Sequence, residues 1–126
     1  MAAITITNAG LNLLRDGMRG AATPQITYVA IGTSTTTPAA TDTQLGAEAF
    51  RKAVTSAVAG GSNGEVIITL YLAPGDANGI NVQEVGFFGG AATGTANSGT
   101  LLAHGLWAHG VHNNTESINF SLDFTV

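Results

Sequence analysis

Alternation of apolar and polar residues dominates the chain from residue 25 onward. Apolar side chains recur at every second position in several segments, as they do in a strand with one buried face. These segments are residues 25–31, 53–58, 65–73, 81–88 and 100–108. The end of the chain alternates most regularly, with Ile118, Phe120, Leu122, Phe124 and Val126 on one face. We therefore expect a last strand whose core packing continues to the final residue.

The first twenty residues follow a different pattern. Residues 1–7 alternate and predict a short strand, after which Thr7 or Asn8 can cap a helix. Gly20 can end that helix, so we expect about three turns. The apolar positions that recur at helical spacing are Leu11, Leu14 and Met18.

Glycine-rich turns separate the predicted strands. Residues 60–64 have the composition of a hairpin loop, and residues 74–79 have similar turn chemistry. Six or seven strands with one peripheral helix predict a mainly β fold, an antiparallel β-sandwich, with a jelly-roll arrangement left open. We find no internal repeat and no linker, so residues 1–126 are expected to form a single domain.

Composition then narrows the class of function. The chain has 126 residues, no cysteine and a formal net charge of -4, and its four basic residues all lie within the first 52 positions. An acidic chain with so few cations is not expected to bind nucleic acid. Neither a signal peptide nor a membrane-spanning segment is expected. Only 10% of residues are charged, against about a quarter in an ordinary domain, which favours an assembly whose surface is covered by copies or partners.

A Thr-rich connection, residues 33–43, stands out between the second and third predicted strands. Its only charge is Asp42, and it has no apolar residue larger than alanine or proline. The segment is therefore expected to line neither a core nor a charged active site, and to cross a surface or an interface.

Candidate catalytic and metal-binding residues are few. His104, His109 and His112 alternate faces if the strand is extended, which disfavours a metal site within one chain. A turn near Gly110 or a symmetry axis would change that geometry. The carboxylates show no diagnostic pairing, and no nucleophile elbow or phosphate loop is present. We expect no enzyme activity, no cofactor and no metal.

Two groups of residues are candidates for an interface. Glu48, Arg51 and Lys52 form a charge cluster; Glu48 and Arg51 would pair if the segment made one helical turn, either as a solvated pair or as a salt bridge between subunits. Trp107, with neighbouring histidines and the amides of Asn113 and Asn114, could instead form a sugar-binding patch, although a core or interface role is favoured.

Six short motifs together resemble small structural proteins of tailed bacteriophages. Within that group an IGTG element, a Thr/Pro/Ala-rich stretch and an E.GLF strand recur in this order. Here Ser34 stands where glycine is common and His104 where arginine is usual. The motifs are Thr7-Asn8-Ala9-Gly10-Leu11, Tyr28-Val29-Ala30-Ile31-Gly32-Thr33, Thr41-Asp42-Thr43-Gln44-Leu45, Glu48-Ala49-Phe50-Arg51-Lys52, Glu84-Val85-Gly86-Phe87-Phe88 and Leu101-Leu102-Ala103-His104-Gly105.

The resemblance implies a non-enzymatic virion protein that assembles in the host bacterial cytoplasm, as a homotrimer, with other virion proteins. A tail-fibre or tail-adaptor component is expected. The alternative is a capsid decoration (cement) protein bound to the major capsid protein, for which the strand of residues 1–7 would serve as an arm. Contacts with the partners are expected at Glu48, Arg51, Lys52, His104, Trp107 and His109.

Overall fold

The computed structural model describes residues 4–112 and 115–123. Within these ranges the chain forms one helix and eight strands. They are β1 (Ile4–Ile6), α1 (Asn8–Met18), β2 (Ile26–Gly32), β3 (Glu48–Ala53), β4 (Ser56–Ala59), β5 (Glu65–Leu72), β6 (Asn81–Gly89), β7 (Thr100–Val111) and β8 (Glu116–Asp123).

The strands form two antiparallel sheets. One has five strands in the order β1-β7-β6-β2-β3, and the other has three in the order β4-β5-β8. One set of buried apolar side chains comes from both sheets, so the sheets pack face to face as a sandwich. The expected mainly β, antiparallel sandwich with one short N-terminal helix is confirmed.

Alternation along the strands explains the core. On β5 and β8 the buried side chains Ile68, Leu70, Phe120 and Leu122 occupy alternate positions, because successive side chains point to opposite faces of a sheet. Phe120 meets Phe87 of the five-stranded sheet edge to face, with ring centroids 5.2 Å apart. The aromatic rings thus join the two sheets at the centre of the sandwich.

The predicted strand over residues 53–58 is wrong as a single element. Residues 53 and 56 belong to different strands, β3 and β4, in different sheets. The backbone N–H of Val54 donates to Thr27 of the five-stranded sheet, and the next N–H, of Thr55, donates to Thr69 of the other. Residues 53–58 contain neither glycine nor proline, so no turn signal in the sequence marks the crossing.

The helix has the expected three turns and caps. The Thr7 hydroxyl accepts from the Gly10 N–H, and Gly20, with φ of 77°, follows the last turn. Gly10 is pressed against the backbone of Leu102, where a Cβ would lie 2.7 Å from Leu102 Cα. Leu11 and Met18, which helped to predict the helix, are 49% and 86% exposed, so part of the apolar face does not reach the core.

Some predictions fall outside the described residues: the start of the first strand, the amides of Asn113 and Asn114, and the last apolar positions Phe124 and Val126. Within the described ranges, no helix combines the length and the apolar character that a membrane crossing requires.

Candidate functional site

The most deeply buried acidic side chain, Glu84, lies on β6. It faces outward from the five-stranded sheet, away from the sandwich core, yet it is 0% exposed because the connection between β2 and β3 covers it. Its Oε2 accepts from the N–H groups of Ser34 at 3.1 Å and Ala47 at 2.8 Å. Its Oε1 accepts from the N–H of Gly46 at 2.9 Å. Three backbone donors therefore replace the water that the buried carboxylate has lost.

Two glycines allow the connection to close over this carboxylate: Gly32 leaves space for the carboxylate itself, and Gly46 leaves space for Ser34. A Cβ on Gly32 would collide with Glu84 Oε2 and would lie 2.5 Å from the Ala47 carbonyl oxygen. A Cβ on Gly46 would lie 2.5 Å from the Ser34 hydroxyl oxygen. Both ends of the connection can therefore close over Glu84 only where the side chain is a hydrogen atom.

His104 of β7 links Glu84 to the connection. It is opposite Gly86 in the sheet register, and its Nε2 lies 2.8 Å from Glu84 Oε1. Its Nδ1 lies 2.9 Å from Asp42 Oδ2. Each ring nitrogen faces a carboxylate oxygen, so a proton on either nitrogen has an acceptor. Glu84, His104 and Asp42 are called the Glu84 cluster below.

Asp42 holds the middle of the connection to this cluster. Its carboxylate accepts the N–H of Ala39 at 2.8 Å and faces the His104 ring. The Ala39 hydrogen bond, followed by the hydrogen bond and charge of His104, lowers the pKa of the Asp42 carboxyl below its ordinary value. The Thr-rich connection, which was expected to line neither a core nor a charged active site, therefore covers a charged cluster on the sheet. Its one charge is the residue that attaches it.

Glu48 and Arg51 form a second buried pair on the same outer face. Their side chains are both 2% exposed, and Arg51 Nε lies 2.7 Å from Glu48 Oε2. The expected solvated pair is wrong, and so is the helical turn, because both residues lie on strand β3. A bulge explains the pairing: Phe50 is opposite Ile31 and Glu48 is opposite Gly32, so Ala49 is the extra residue. The bulge brings positions three apart onto one face.

Arg51 also fastens the loop between β6 and β7, residues 90–99. Its Nη1 donates to the carbonyl oxygens of Thr93 at 3.0 Å and Ser98 at 3.1 Å. Its guanidinium lies over the ring of Phe88, 4.3 Å from the centroid. Nε and Nη2 bind Glu48 in a bidentate pair. One arginine thus satisfies a buried carboxylate and orders a loop.

The remaining predicted interface residues also have partners within the chain. Lys52 Nζ lies 2.6 Å from Asp76 Oδ2. His109 Nε2 lies 2.8 Å from Glu116 Oε2. Trp107 is half-buried, and its ring packs edge to face on Phe120 with centroids 5.2 Å apart. These contacts place Lys52, Trp107 and His109 apart from the Glu84 cluster; their interface role stays a prediction.

Two of the three histidines are buried within the chain. His104 is 3% exposed and His112 is 0% exposed. His112 Nε2 lies 3.4 Å from Glu116 Oε1, but the alignment is not that of a hydrogen bond, and neither ring nitrogen has a partner in the described part of the chain. Residues 4–112 and 115–123 contain no group of three ligating side chains arranged to hold a metal ion.

The Glu84 cluster is built for attachment. Its carboxylates and imidazole are occupied by one another and by backbone groups, and the connection covers Glu84 and His104. A general base needs access to a substrate proton, which the buried Glu84 and His104 side chains do not have. What the cluster does is to fix a long irregular segment on a β-sheet.

Sequence reasoning placed Glu84 in a motif but gave it no role. The available signal was the single charged residue in the predicted strand of residues 81–88, since an acidic residue that is buried on a strand needs several donors. Gly32 and Gly46, which flank the Thr-rich segment, were a second signal. Neither reveals that Asp42 and His104 complete the cluster.

Replacing Gly32 with alanine is expected to destabilise the fold by about 1–3 kcal/mol, because the added methyl group meets a buried carboxylate and a backbone oxygen. Gly75→Ala is the matched control: a Cβ there meets nothing within 4 Å. Urea unfolding of both variants measures the difference. Equal stability of the two variants would contradict the close packing of Gly32 on Glu84.

Arg51→Met is expected to lower the free energy of unfolding by about 3–5 kcal/mol, because it leaves the Glu48 carboxylate buried without its partner. The control is Arg15→Met, which removes an exposed ion pair and should change stability by less than about 1 kcal/mol. The double variant Glu48→Leu/Arg51→Met should regain part of the loss. If Arg51→Met lowered the free energy of unfolding no more than Arg15→Met does, the Glu48–Arg51 pair would not be buried in solution.

The attachment of Asp42 should weaken in acid. The pKa of the Asp42 carboxyl is lowered in the folded chain. Between the ordinary pKa, about 3.9, and the lower pKa of the folded chain, the unfolded chain therefore binds more protons than the folded chain does. The stability that the Asp42 charge contributes is complete above that window and is lost as pH falls through the folded pKa. The stability difference between the wild type and Asp42→Asn, measured by urea unfolding at several pH values, should therefore be constant near neutrality and shrink below about pH 4. A difference independent of pH would contradict the ionised contact.

No protein-family model, curated protein or solved structure matches the chain. The resemblance to tailed-phage structural proteins thus rests on the sequence motifs alone.

Proposed function

We propose that this chain is a non-enzymatic structural protein of a tailed-phage virion, a tail-fibre or tail-adaptor component that acts through protein-protein contacts. One observation carries the proposal: the charged side chains of the motifs are used inside the chain to fasten its connections. Glu84, His104 and Asp42 hold residues 33–47, while Glu48 and Arg51 hold residues 90–99. Such a use of charge serves a rigid building block rather than a reaction.

The surface that results is consistent with assembly. The Thr-rich connection exposes hydroxyls and small side chains, and ten percent of the chain is charged. A surface with few charges gives little long-range repulsion between packed subunits. Self-association as a homotrimer, in the virion and without nucleic acid, is part of the proposal.

The pairing of β1 removes one argument for the head-decoration alternative. It relied on a free N-terminal arm, whereas Ile4, Thr5 and Ile6 pair with Gly105, His104 and Ala103 in the five-stranded sheet. That part of the proposed arm is a strand of the domain itself.

The glycan-binding alternative relied on the Trp107 ring, and that ring packs against Phe120 and His109. An experiment on binding to phage tails, phage heads and host-cell glycans distinguishes both alternatives from the proposal.

Binding of the purified chain to separated phage tails and heads tests the proposal. We expect co-sedimentation with tails lacking the protein and none with heads. Binding to heads alone would replace the proposal with head decoration. Binding to neither, with binding to host-cell glycans that Trp107→Ala abolishes, would replace it with the sugar-binding function. The control is Arg15→Met, whose change lies on the exposed side of α1.

A further inference from the structure

Two asparagines of this chain are followed directly by glycine, Asn63 by Gly64 and Asn78 by Gly79. In such a pair the backbone nitrogen of the glycine can attack the side-chain amide of the asparagine. Glycine favours the attack, because it has no Cβ in the way and restricts the backbone least. The two pairs are equivalent in the sequence, so only the structure indicates which of them reacts in the folded chain.

Asn63 and Gly64 lie in the turn between β4 and β5. Both residues are exposed, and so is Ser62 before them. The Glu65 N–H donates to the Ser62 carbonyl oxygen at 3.2 Å, and Gly64 has φ of 75°. Asn63 and Gly64 are therefore the two central residues of a β-turn. Exposed turns of this kind open at little cost in free energy.

Asn78 and Gly79 are also exposed, but their backbone is held on both sides. The Gly79 nitrogen, which would be the attacking atom, donates its hydrogen to the His112 carbonyl oxygen at 2.8 Å. The N–H of Ile80 donates to the Ala77 carbonyl oxygen at 3.2 Å, and Ala77 is only 4% exposed. The same attack at Asn78 must therefore first break these contacts.

Asp76 fastens the same loop, residues 73–80, at its other end. Its carboxylate accepts the Ala73 N–H at 3.0 Å and lies 2.6 Å from Lys52 Nζ. The hydrogen bond from Lys52, followed by that from Ala73, lowers the pKa of the Asp76 carboxyl, so the ion pair is present at neutral pH. The loop is thus attached to β3 through Lys52 and to the end of β7 through His112.

We propose that Asn63 is a site of spontaneous deamidation in the folded chain, and that the loop of residues 73–80 protects Asn78 from the same reaction. The co-reactant is water. This inference stands independently of the proposed function, because the reaction needs no partner protein.

The reaction passes through a cyclic imide. Hydroxide removes the proton of the Gly64 nitrogen, which then forms a bond to the side-chain carbonyl carbon of Asn63. The bond from that carbon to the amide nitrogen breaks, and ammonia leaves with a proton supplied by water. A second water opens the ring at either carbonyl, which gives aspartate or isoaspartate. One amide and one water thus become one carboxylate and one ammonium ion, and nothing is oxidised or reduced.

The product changes the charge of the turn and, in part, its backbone. Each event adds a negative charge close to Glu65, whose carboxylate accepts the Ser62 N–H at 3.2 Å. The isoaspartyl product also leads the chain through Cβ, which lengthens the backbone between β4 and β5. Anion exchange therefore separates modified from unmodified chains, and their ratio follows the reaction over time.

The test is the rate of modification at each asparagine while the full chain is incubated in mildly alkaline buffer. Cleavage after glutamate places Asn63 in the peptide of residues 49–65 and Asn78 in that of residues 66–84, and tandem mass spectrometry of the two peptides gives both rates. In the folded chain Asn63 should react at least about tenfold faster than Asn78, because several hydrogen bonds hold the second site. Circular dichroism of the incubated chain establishes that it remains folded.

Two controls make the comparison decisive. In concentrated urea the two rates should become similar, because both glycines are then free of the fold. Asn63→Gln should remove the modification from the peptide of residues 49–65, which contains no other asparagine. Equal rates at the two sites of the folded chain, or a faster reaction at Asn78, would overturn the inference. An unmodified Asn63 in the folded chain, after a time in which the chain in urea is modified at both sites, would overturn it as well.

Discussion

Burial of the Glu84 carboxylate is the constraint on which the outer layer of this protein depends. A carboxylate taken out of water needs donors on both oxygens. Here three backbone N–H groups and one imidazole supply them. Because the backbone donors come from both ends of the connection between β2 and β3, that connection can follow only a path that brings them together. A segment rich in threonine and alanine, with no large apolar side chain of its own before Leu45, is thereby given one conformation.

The same constraint explains why several sequence motifs converge. Gly32 leaves space for the carboxylate, and Gly46 leaves space for Ser34. Gly86 leaves space for Leu45, since a Cβ on Gly86 would collide with the Leu45 side chain. The His104 ring contacts Glu84 through Nε2 and Asp42 through Nδ1. The motifs that resemble phage structural proteins are thus, in this chain, largely the parts of one attachment. In a similar way, Arg51 holds the loop of residues 90–99 and has Glu48 as its buried partner.

The two sheets differ in how their outer faces are covered. On the five-stranded sheet, residues 33–47 cover Glu84, and Arg51 holds residues 90–99. On the three-stranded sheet the described side chains that point outward are exposed or half-exposed, with Val58 at 55% and Tyr71 at 41%. The long connections of the described chain are therefore attached to one sheet of the sandwich.

The sequence by itself determined the β class, the three-turn helix with a cap at Thr7 or Asn8, and most strands, because those features follow from periodicity and from local hydrogen bonds of neighbouring residues. It indicated that Glu48, Arg51 and the Thr-rich segment were distinctive. Only the tertiary structure decided that the chain changes sheets between Val54 and Thr55, and that Glu48 and Arg51 share one strand face. The bulge at Ala49 and the meeting of Asp42, Glu84 and His104 join residues far apart in the sequence. Their contacts depend on strand order and register, which a single sequence does not encode in any local pattern.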